Sequence, residues 1–331
     1  MNPAAKYPIG PFVELGRILQ QELDEGRLDP VIRRATEANC WFTAESVAFA
    51  IRAICSDMLQ PELLETWLRP YQKQGTKTVR RVGIIMAGNI PLVGFFDLLC
   101  VLASGHACRV KPSSKDTVLI GYVVDLLRTI DPAIPLRMAE QGERPDAVIA
   151  TGSDNANRYF RMLFGGIPSL LRGSRQSVAV LSGRETAAEL SGLEEDIFSY
   201  SGLGCRNVSL LFLPRGYLPE LRCTALNEKY RRNYLRERAL LRMRRMPFVD
   251  LDGAVLCEDR SFPAALSRIH YTFYDSLADV EAWLAAHDDR LQCVVSQCVR
   301  HSRRVAFGRA QHPGLTDYAD DVDTMRFLGT I

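Results

Sequence analysis

"VGIIMAGNIPLVGFFDLLCVLASGHACRVK" occupies residues 82 to 111, and its reading decides the fold. "VGIIM" (82 to 86) is an apolar run of strand length. "AGNIP" turns the chain into a helix predicted over about 92 to 104, "SGH" closes that helix, and "ACRVK" (107 to 111) is a second strand. The alternation continues. "DTVLIGYVVDLLRTI" (116 to 130) predicts a helix, "DAVIATGS" (146 to 153) a strand feeding a further helix from about Asp154, and "SVAVL" (177 to 181) a last short strand. Strands alternating with helices imply parallel pairing through right-handed crossovers, hence an α/β, doubly wound sheet. Such sheets bind ligands beyond the carboxyl ends of their strands, so the turns to inspect are "AGNIP", "KPSSKD" and "TGSDN".

The flanks divide the chain. Residues 11 to 70 read as helical, with Val47, Ile51, Ile54, Cys55 and Met58 at spacings of three and four after a Thr43 cap. The expected organisation is a helical lead-in (1 to 75), a cofactor domain with the parallel sheet (76 to 181), a thiol-bearing catalytic domain (182 to 305) and a C-terminal segment (306 to 331) returning to the first sheet.

Composition narrows the function classes. The 331 residues are 47% hydrophobic and 24% charged with a net charge of +2, which describes an ordinary globular protein and not a dedicated nucleic-acid binder. Nine cysteines are an odd number, scattered without a C-x-x-C pair, so neither a disulfide framework nor a metal site is expected. "MNPAAKYPIG" lacks a secretory pattern, and the most apolar stretch is interrupted by Asp97 and too short to span a bilayer. These readings place the protein in the cytoplasm.

Several residues bear on chemistry. Lys111 ends a strand before a Pro-Ser-Ser turn, where Lys111, Ser113, Ser114 and Lys115 offer charges and hydroxyls to a ribose or phosphate; a helix start with solvated lysines is the structural alternative. Gly152 and Ser153 precede a helix N-terminus whose free amides suit a pyrophosphate, although Ser is also an ordinary cap. Asn89 either donates to an oxyanion or caps the helix after Pro91. Cys205, in "SYSGLGCRNVSL" (199 to 210), lies behind Gly202 and Gly204 and beside Arg206, a setting that with a following helix start would favour a reactive thiolate.

"GIIMAGNIPLVGFFDLLCVLASGHACRVKPSSKD", "VIATGSDNANRYF", "YSGLGCRNVS" and "PGLTDYADDVDTMRFL" together resemble, in that order, the LuxC-type acyl-CoA reductases of the aldehyde dehydrogenase superfamily, over about residues 80 to 331. The resemblance implies a Rossmann-like cofactor domain joined to a catalytic domain, with the reactive thiol between them. By position it implies Cys205 as nucleophile, Asn89 as oxyanion-hole amide beside the Cys205 N–H, Lys111 and Ser113 as ribose contacts, and Gly152 with Ser153 as the cofactor-phosphate turn. It implies an acyl-CoA or acyl carrier protein thioester as substrate and a homo-oligomer. Aldehyde-oxidising relatives carry a deacylating glutamate in an E-L-G-G block; the place assigned to it here, "VAVLSGRE", reads Leu181, Ser182, Gly183, which fits reduction of the acyl enzyme rather than hydrolysis. Ser114 stands where NAD-preferring relatives often have a glutamate, and with Lys115 adjacent this favours NADPH, NADH being the alternative. His270 is the histidine to inspect as proton donor. Two rival readings remain at this level: a Cys205-dependent thioesterase or acyltransferase without nucleotide, and a binding protein using residues 221 to 245, where nine Lys or Arg face only Glu228 and Glu237 and Tyr230 and Tyr234 are interleaved; this stretch reads first as a solvated helix face, then as a dock for CoA or acyl carrier protein, and last as a nucleic-acid surface.

Overall fold

The computed structural model describes residues 9–71, 78–224 and 227–331. The first eight residues, the junction at 72–77 between lead-in and first strand, and 225–226 within the basic stretch lie outside it. Two compact units form, one from residues 1–174 with 314–331 and the other from 175–313.

The first unit opens with α1 (Gly10–Asp24), α2 (Asp29–Ala38), α3 (Ala44–Asp57) and α4 (Pro61–Leu68). Thr43 caps α3 in a reciprocal box with Ser46. There follow β1 (Arg81–Ile85), α5 (Phe95–Ala103), β2 (Ala107–Lys111), α6 (Thr117–Ile130), β3 (Leu136–Met138), β4 (Ala147–Thr151), α7 (Asp154–Phe164) and β5 (Ser169–Arg172). The five strands are all parallel in the order β3-β2-β1-β4-β5. Val82, Ile84, Cys108, Val110, Ala147 and Ile149 are buried with α5, whose Leu98–Ala103 stretch is buried on every side. Fully covered strands of this kind read as continuous apolar runs, which is why they are visible in the sequence. The chain steps from β1 to β2 in one direction and from there to β4 on the other side of β1, so the switch in strand order falls between β1 and β4.

The second unit contains β6 (Gln176–Val180), α8 (Ala187–Phe198), β7 (Val208–Pro214), α9 (Glu228–Met243), β8 (Val249–Asp250), β9 (Val255–Glu258), β10 (Arg268–Tyr274), α10 (Leu277–Ala286), β11 (Leu291–Ser296) and β12 (Arg304–Val305). Its sheet runs β12-β11-β6-β7-β10-β9-β8, parallel except for the β8–β9 pair.

Two expectations change here. The strand read in "SVAVL" is β6, and it pairs with β7 and β11 in the second sheet, not with the first. Apolar periodicity marks a strand without naming its neighbours. The fifth strand of the first sheet is instead β5, a half-buried edge strand with a weak apolar signal. The second change is at Pro91, which does not start a helix: α5 begins at Phe95 behind the N-cap Gly94. Leu92 holds φ +56°, and its N–H donates to the buried Asp116 carboxylate at 2.7 Å, so residues 91 to 94 form a turn.

The C-terminal stretch ends in α11 (Thr324–Gly329) and packs within the first unit. Buried Arg172 donates to both Asp97 oxygens at 2.6 and 2.7 Å and to the Thr324 hydroxyl at 2.7 Å. The Trp67 indole and the Tyr71 hydroxyl both meet the Tyr318 hydroxyl at 2.8 Å, and Tyr71 donates onward to Asp323.

Candidate active site

In the first unit, the turns after β1, β2 and β4 emerge at one edge of the sheet because the strands are parallel. The turns after β1 and β2 touch. A Cβ built on Gly88 would lie 2.6 Å from the Ser113 Cβ and 3.2 Å from that of Lys115, so only glycine lets them approach. Asn39, buried just beyond α2, donates its side-chain amide to the Lys115 carbonyl at 3.2 Å and lies 3.5 Å from the Gly88 carbonyl. The fold thus brings Asn89, Ser113 and Lys115 into one corner, and sequence reasoning gave Asn39 no part in it. Asn89 is half-buried and does not cap α5, whose N-cap is Gly94, five residues further along the chain.

Lys111, Ser114 and Lys115 are exposed at the end of β2, and the Ser113 hydroxyl accepts the Lys115 N–H at 3.3 Å. Burial pushes the Asp116 carboxyl beneath this turn up to about 7, against the opposing pull of the Leu92 N–H. On the neighbouring strand β4, Ser153 caps α7 by accepting the Ala156 N–H at 3.3 Å. A Cβ on Gly152 would stand 3.0 Å from the Ala156 Cβ, so this glycine makes room for the first turn of α7.

Cys205 belongs to the second unit. After α8, Tyr200, Ser201 and Gly202 take φ of +53°, +56° and +68°, and the chain then runs through Cys205 into β7. Of the nine thiols, Cys205 and Cys40 are exposed, whereas burial raises the thiol of Cys55 to about 12 and raises those of Cys100, Cys108 and Cys257 as well. Asn207 fixes the loop. Its buried amide donates to the Ser199 carbonyl at 2.9 Å and to those of Asp196 and Ile197 at 3.2 Å, while its oxygen accepts the Gly204 N–H at 2.8 Å. The Cys205 carbonyl accepts the Ser177 hydroxyl at 2.9 Å, at the start of β6.

Two expectations about the thiol, the helix after it and the place of the missing glutamate, need correction. No helix follows Cys205, since β7 does, so no helix N-terminus polarises it. Arg206 donates its Nε–H to the Ala310 carbonyl and is part of the loop's anchorage. Leu181, Ser182 and Gly183 stand at the far end of the strands from Cys205: the Leu181 N–H bonds the Phe212 carbonyl, four residues into β7, or about 13 Å along it at 3.3 Å per residue. That turn folds on itself, with Glu185 accepting from the Ser182 hydroxyl at 2.8 Å and the Gly183 N–H at 3.1 Å. Its lack of a glutamate therefore says nothing about deacylation at Cys205. The segment that enters the sheet at the thiol's edge is "GSRQS" (173 to 177), and it too contains no carboxylate.

His270 is buried in β10 with Nδ1 2.7 Å from the Ser261 carbonyl, a satisfied structural position. His312 is half-buried, its Nε2 3.5 Å from Glu195, on the segment whose Gly308 and Ala310 N–H groups both bond Asp196 at 2.8 Å. Burial pushes that Asp196 carboxyl up to about 7. Tyr230 and Tyr234, which gave the nucleic-acid reading its aromatics, are buried in the core face of α9. Among the described residues no cluster of His, Cys, Asp or Glu is placed to hold a metal, and no helix is long and apolar enough to cross a membrane.

No family model matches the sequence, and no curated protein does. Solved structures do. The chain is similar to an NAD-dependent benzaldehyde dehydrogenase from Corynebacterium glutamicum, with a TM-score of 0.62 and 13% identity over 89% of this chain and 76% of that one. It is similar to aldehyde dehydrogenase 21 from Physcomitrella patens, with a TM-score of 0.68 and 9% identity over 99% of this chain and 85% of that one. It is also similar to an acetylating aldehyde dehydrogenase from Geobacillus thermoglucosidasius, with a TM-score of 0.60 and 10% identity over 94% and 83%. At such identities the likeness establishes architecture: this chain has the aldehyde dehydrogenase fold.

Proposed function

We propose that the protein is an acyl-CoA reductase of the LuxC type, which reduces an acyl thioester to an aldehyde through an S-acyl intermediate on Cys205. The observation that carries this reading is the loop at Cys205: an exposed thiol, in an aldehyde dehydrogenase fold, on a backbone anchored by Asn207, Ser177 and Arg206. The Cys205 thiolate attacks the thioester carbonyl, and the oxyanion is assigned to the Cys205 N–H and the Asn89 amide. Collapse expels the CoA or carrier thiolate and leaves the acyl group on sulfur. Lys111, Ser113, Gly152 and Ser153 would hold a nicotinamide cofactor, which would supply the hydride that reduces that carbonyl. The resulting thiohemiacetal anion expels Cys205 as thiolate and releases aldehyde, while the displaced donor thiolate takes up a proton. His312, not His270, is the histidine to test for proton supply.

The edge of the five-stranded sheet fits a dinucleotide, because the strand order switches there and the α7 N-terminus faces out beside it. Lys111 and Ser113 are assigned to the adenosine ribose, and Gly152 with Ser153 to the phosphates. The exposed Ser114 and Lys115 favour NADPH over NADH, since no carboxylate there repels a 2′-phosphate. The donor is an acyl-CoA or acyl carrier protein thioester, not a nucleic acid. Tyr159, Met162 and Leu163, 60, 85 and 56% exposed on α7, support a homo-oligomer.

The deciding experiment follows NADPH oxidation against acyl-CoAs of graded length, with Cys205→Ala alongside. Thioester reduction with retained cofactor affinity and no turnover in the variant is expected; turnover by the alanine variant refutes the mechanism.

A further inference from the structure

Helix α9 buries Tyr230, Tyr234, Glu237 and Leu241, with Tyr234 and Leu241 packed against Val255 and Cys257 of β9. The opposite face is both apolar and basic. Leu235 and Met243 are 43 and 81% exposed, and Met246 and Val249, beyond the helix end, are 45 and 37% exposed. Arg231, Arg232, Arg236, Arg242, Arg244 and Arg245, all exposed, flank them. Three nearby carboxylates are already held. Glu237 is buried against Arg268 at 2.7 Å, Glu228 pairs with Arg232 at 3.2 Å, and Asp250 accepts the Tyr234 hydroxyl at 2.6 Å with Arg238 and Arg242 at 3.6 and 3.9 Å.

The sheet places this face relative to the thiol. His270 is in register with both Leu210 and Cys257, each two residues into its strand, so Val208 and Val255 begin their strands at one level. Asp250 pairs with Val255, and Arg242 reaches Asp250, so the last turn of α9 lies at the edge from which the chain leaves Cys205 for β7. Three strand spacings of about 4.8 Å separate β7 from β8. A flexible pantetheine arm spans such a distance.

We propose that the exposed face of α9 docks an acidic acyl carrier protein, which presents its thioester to Cys205; this rests on the acyl-reductase reading above. The face runs over roughly 24 Å, the length of sixteen helical residues, and carries exposed apolar side chains along with arginines. A compact set of CoA phosphates needs charge but not Leu235, Met243 and Met246. An acidic amphipathic helix of a carrier protein complements both features.

The test uses one acyl chain on three donors: acyl carrier protein, CoA and neutral pantetheine. Combined Arg231→Glu, Arg244→Glu and Arg245→Glu should raise KM for the carrier-protein donor by roughly tenfold or more and flatten its salt dependence, with kcat unchanged and the other two donors unaffected. Leu235→Ser with Met243→Ser should weaken the same donor without changing its salt slope. Binding of fluorescently labelled carrier protein, read by anisotropy, should be lost in the arginine variant. That readout needs no turnover, so reduction failing with every donor while binding responds would overturn the enzyme reading and leave the docking surface standing. Unaltered carrier-protein binding overturns the proposal. So does an equal loss with acyl-CoA, which would assign the arginines to CoA phosphates, and so does a loss with all three donors, which would make α9 purely structural.

Discussion

Asn207 makes four short-range contacts through one amide, its two hydrogens shared among the carbonyls of Asp196, Ile197 and Ser199 and its oxygen taking the Gly204 N–H. Those carbonyls end α8, and the N–H lies immediately before Cys205, so the side chain ties the helix terminus to the thiol loop. Asn207→Ala should cost about 1–3 kcal/mol in denaturant unfolding, the penalty for stranding buried polar groups. A loss within a few tenths of a kcal/mol would mean that the loop is held by Ser177 and Arg206 instead. At the reacting atoms, Asn89→Ala should slow acylation of Cys205 by roughly 10² to 10³, the usual effect of losing one oxyanion donor. A burst of released thiol at the parent rate would remove Asn89 from the mechanism.

At the scale of elements, the turns after β1 and β2 act as a pair. Asn39 spans them, Gly88 lets them meet, and Asp116 holds Leu92 in its left-handed conformation. The second Asp116 oxygen is buried without a hydrogen-bond partner, and burial has pushed the group from its ordinary 3.8 up to about 7. An acid with a raised folded-state pKa contributes its full stability below the unfolded pKa and loses it as pH rises through the folded one. Stability should therefore fall between about pH 4 and 7, and Asp116→Asn should remove Asp116's share of that fall. The variant should match the parent near pH 4 and exceed it at pH 8; pH–stability curves that stay parallel would show that Asp116 remains ionised throughout. On the same turn, Ser114→Glu should shift cofactor preference toward NADH, measured as the ratio of kcat/KM values. An unmodified protein that already prefers NADH would reverse this assignment.

The whole first unit closes around one ion pair assembled from three distant parts of the chain. Asp97 comes from α5, Arg172 from β5 and Thr324 from α11, with the two charged side chains 9 and 5% exposed. Asp97→Ala leaves a buried cation and should cost about 3–5 kcal/mol. Under the same denaturant, Thr324→Val should cost less, because one hydrogen bond is lost and the pair remains. Equal costs would show that α11 docking, and not the charge, dominates.

Strands β1, β2 and β4 of the first unit were legible from residues alone, because the covered middle of a parallel sheet demands unbroken apolar runs such as "VGIIM" and "DAVIA"; the edge strands β3 and β5 are short or half-buried and left no such run. The exposure of the Cys205 thiol was also legible, from the glycines and the charge around it in a chain whose other cysteines mostly sit in apolar runs. Partnership was not. Which sheet receives "SVAVL", which end of β6 lies beside the thiol, that Arg206 anchors a loop, that His270 is occupied by the Ser261 carbonyl and that Tyr230 and Tyr234 face inward all depend on contacts between residues far apart in sequence. Local pattern records how much of a segment is buried and with what period; it carries no record of what buries it. Only the packed chain decides that, through strand register and through the hydrogen bonds that buried polar groups must find.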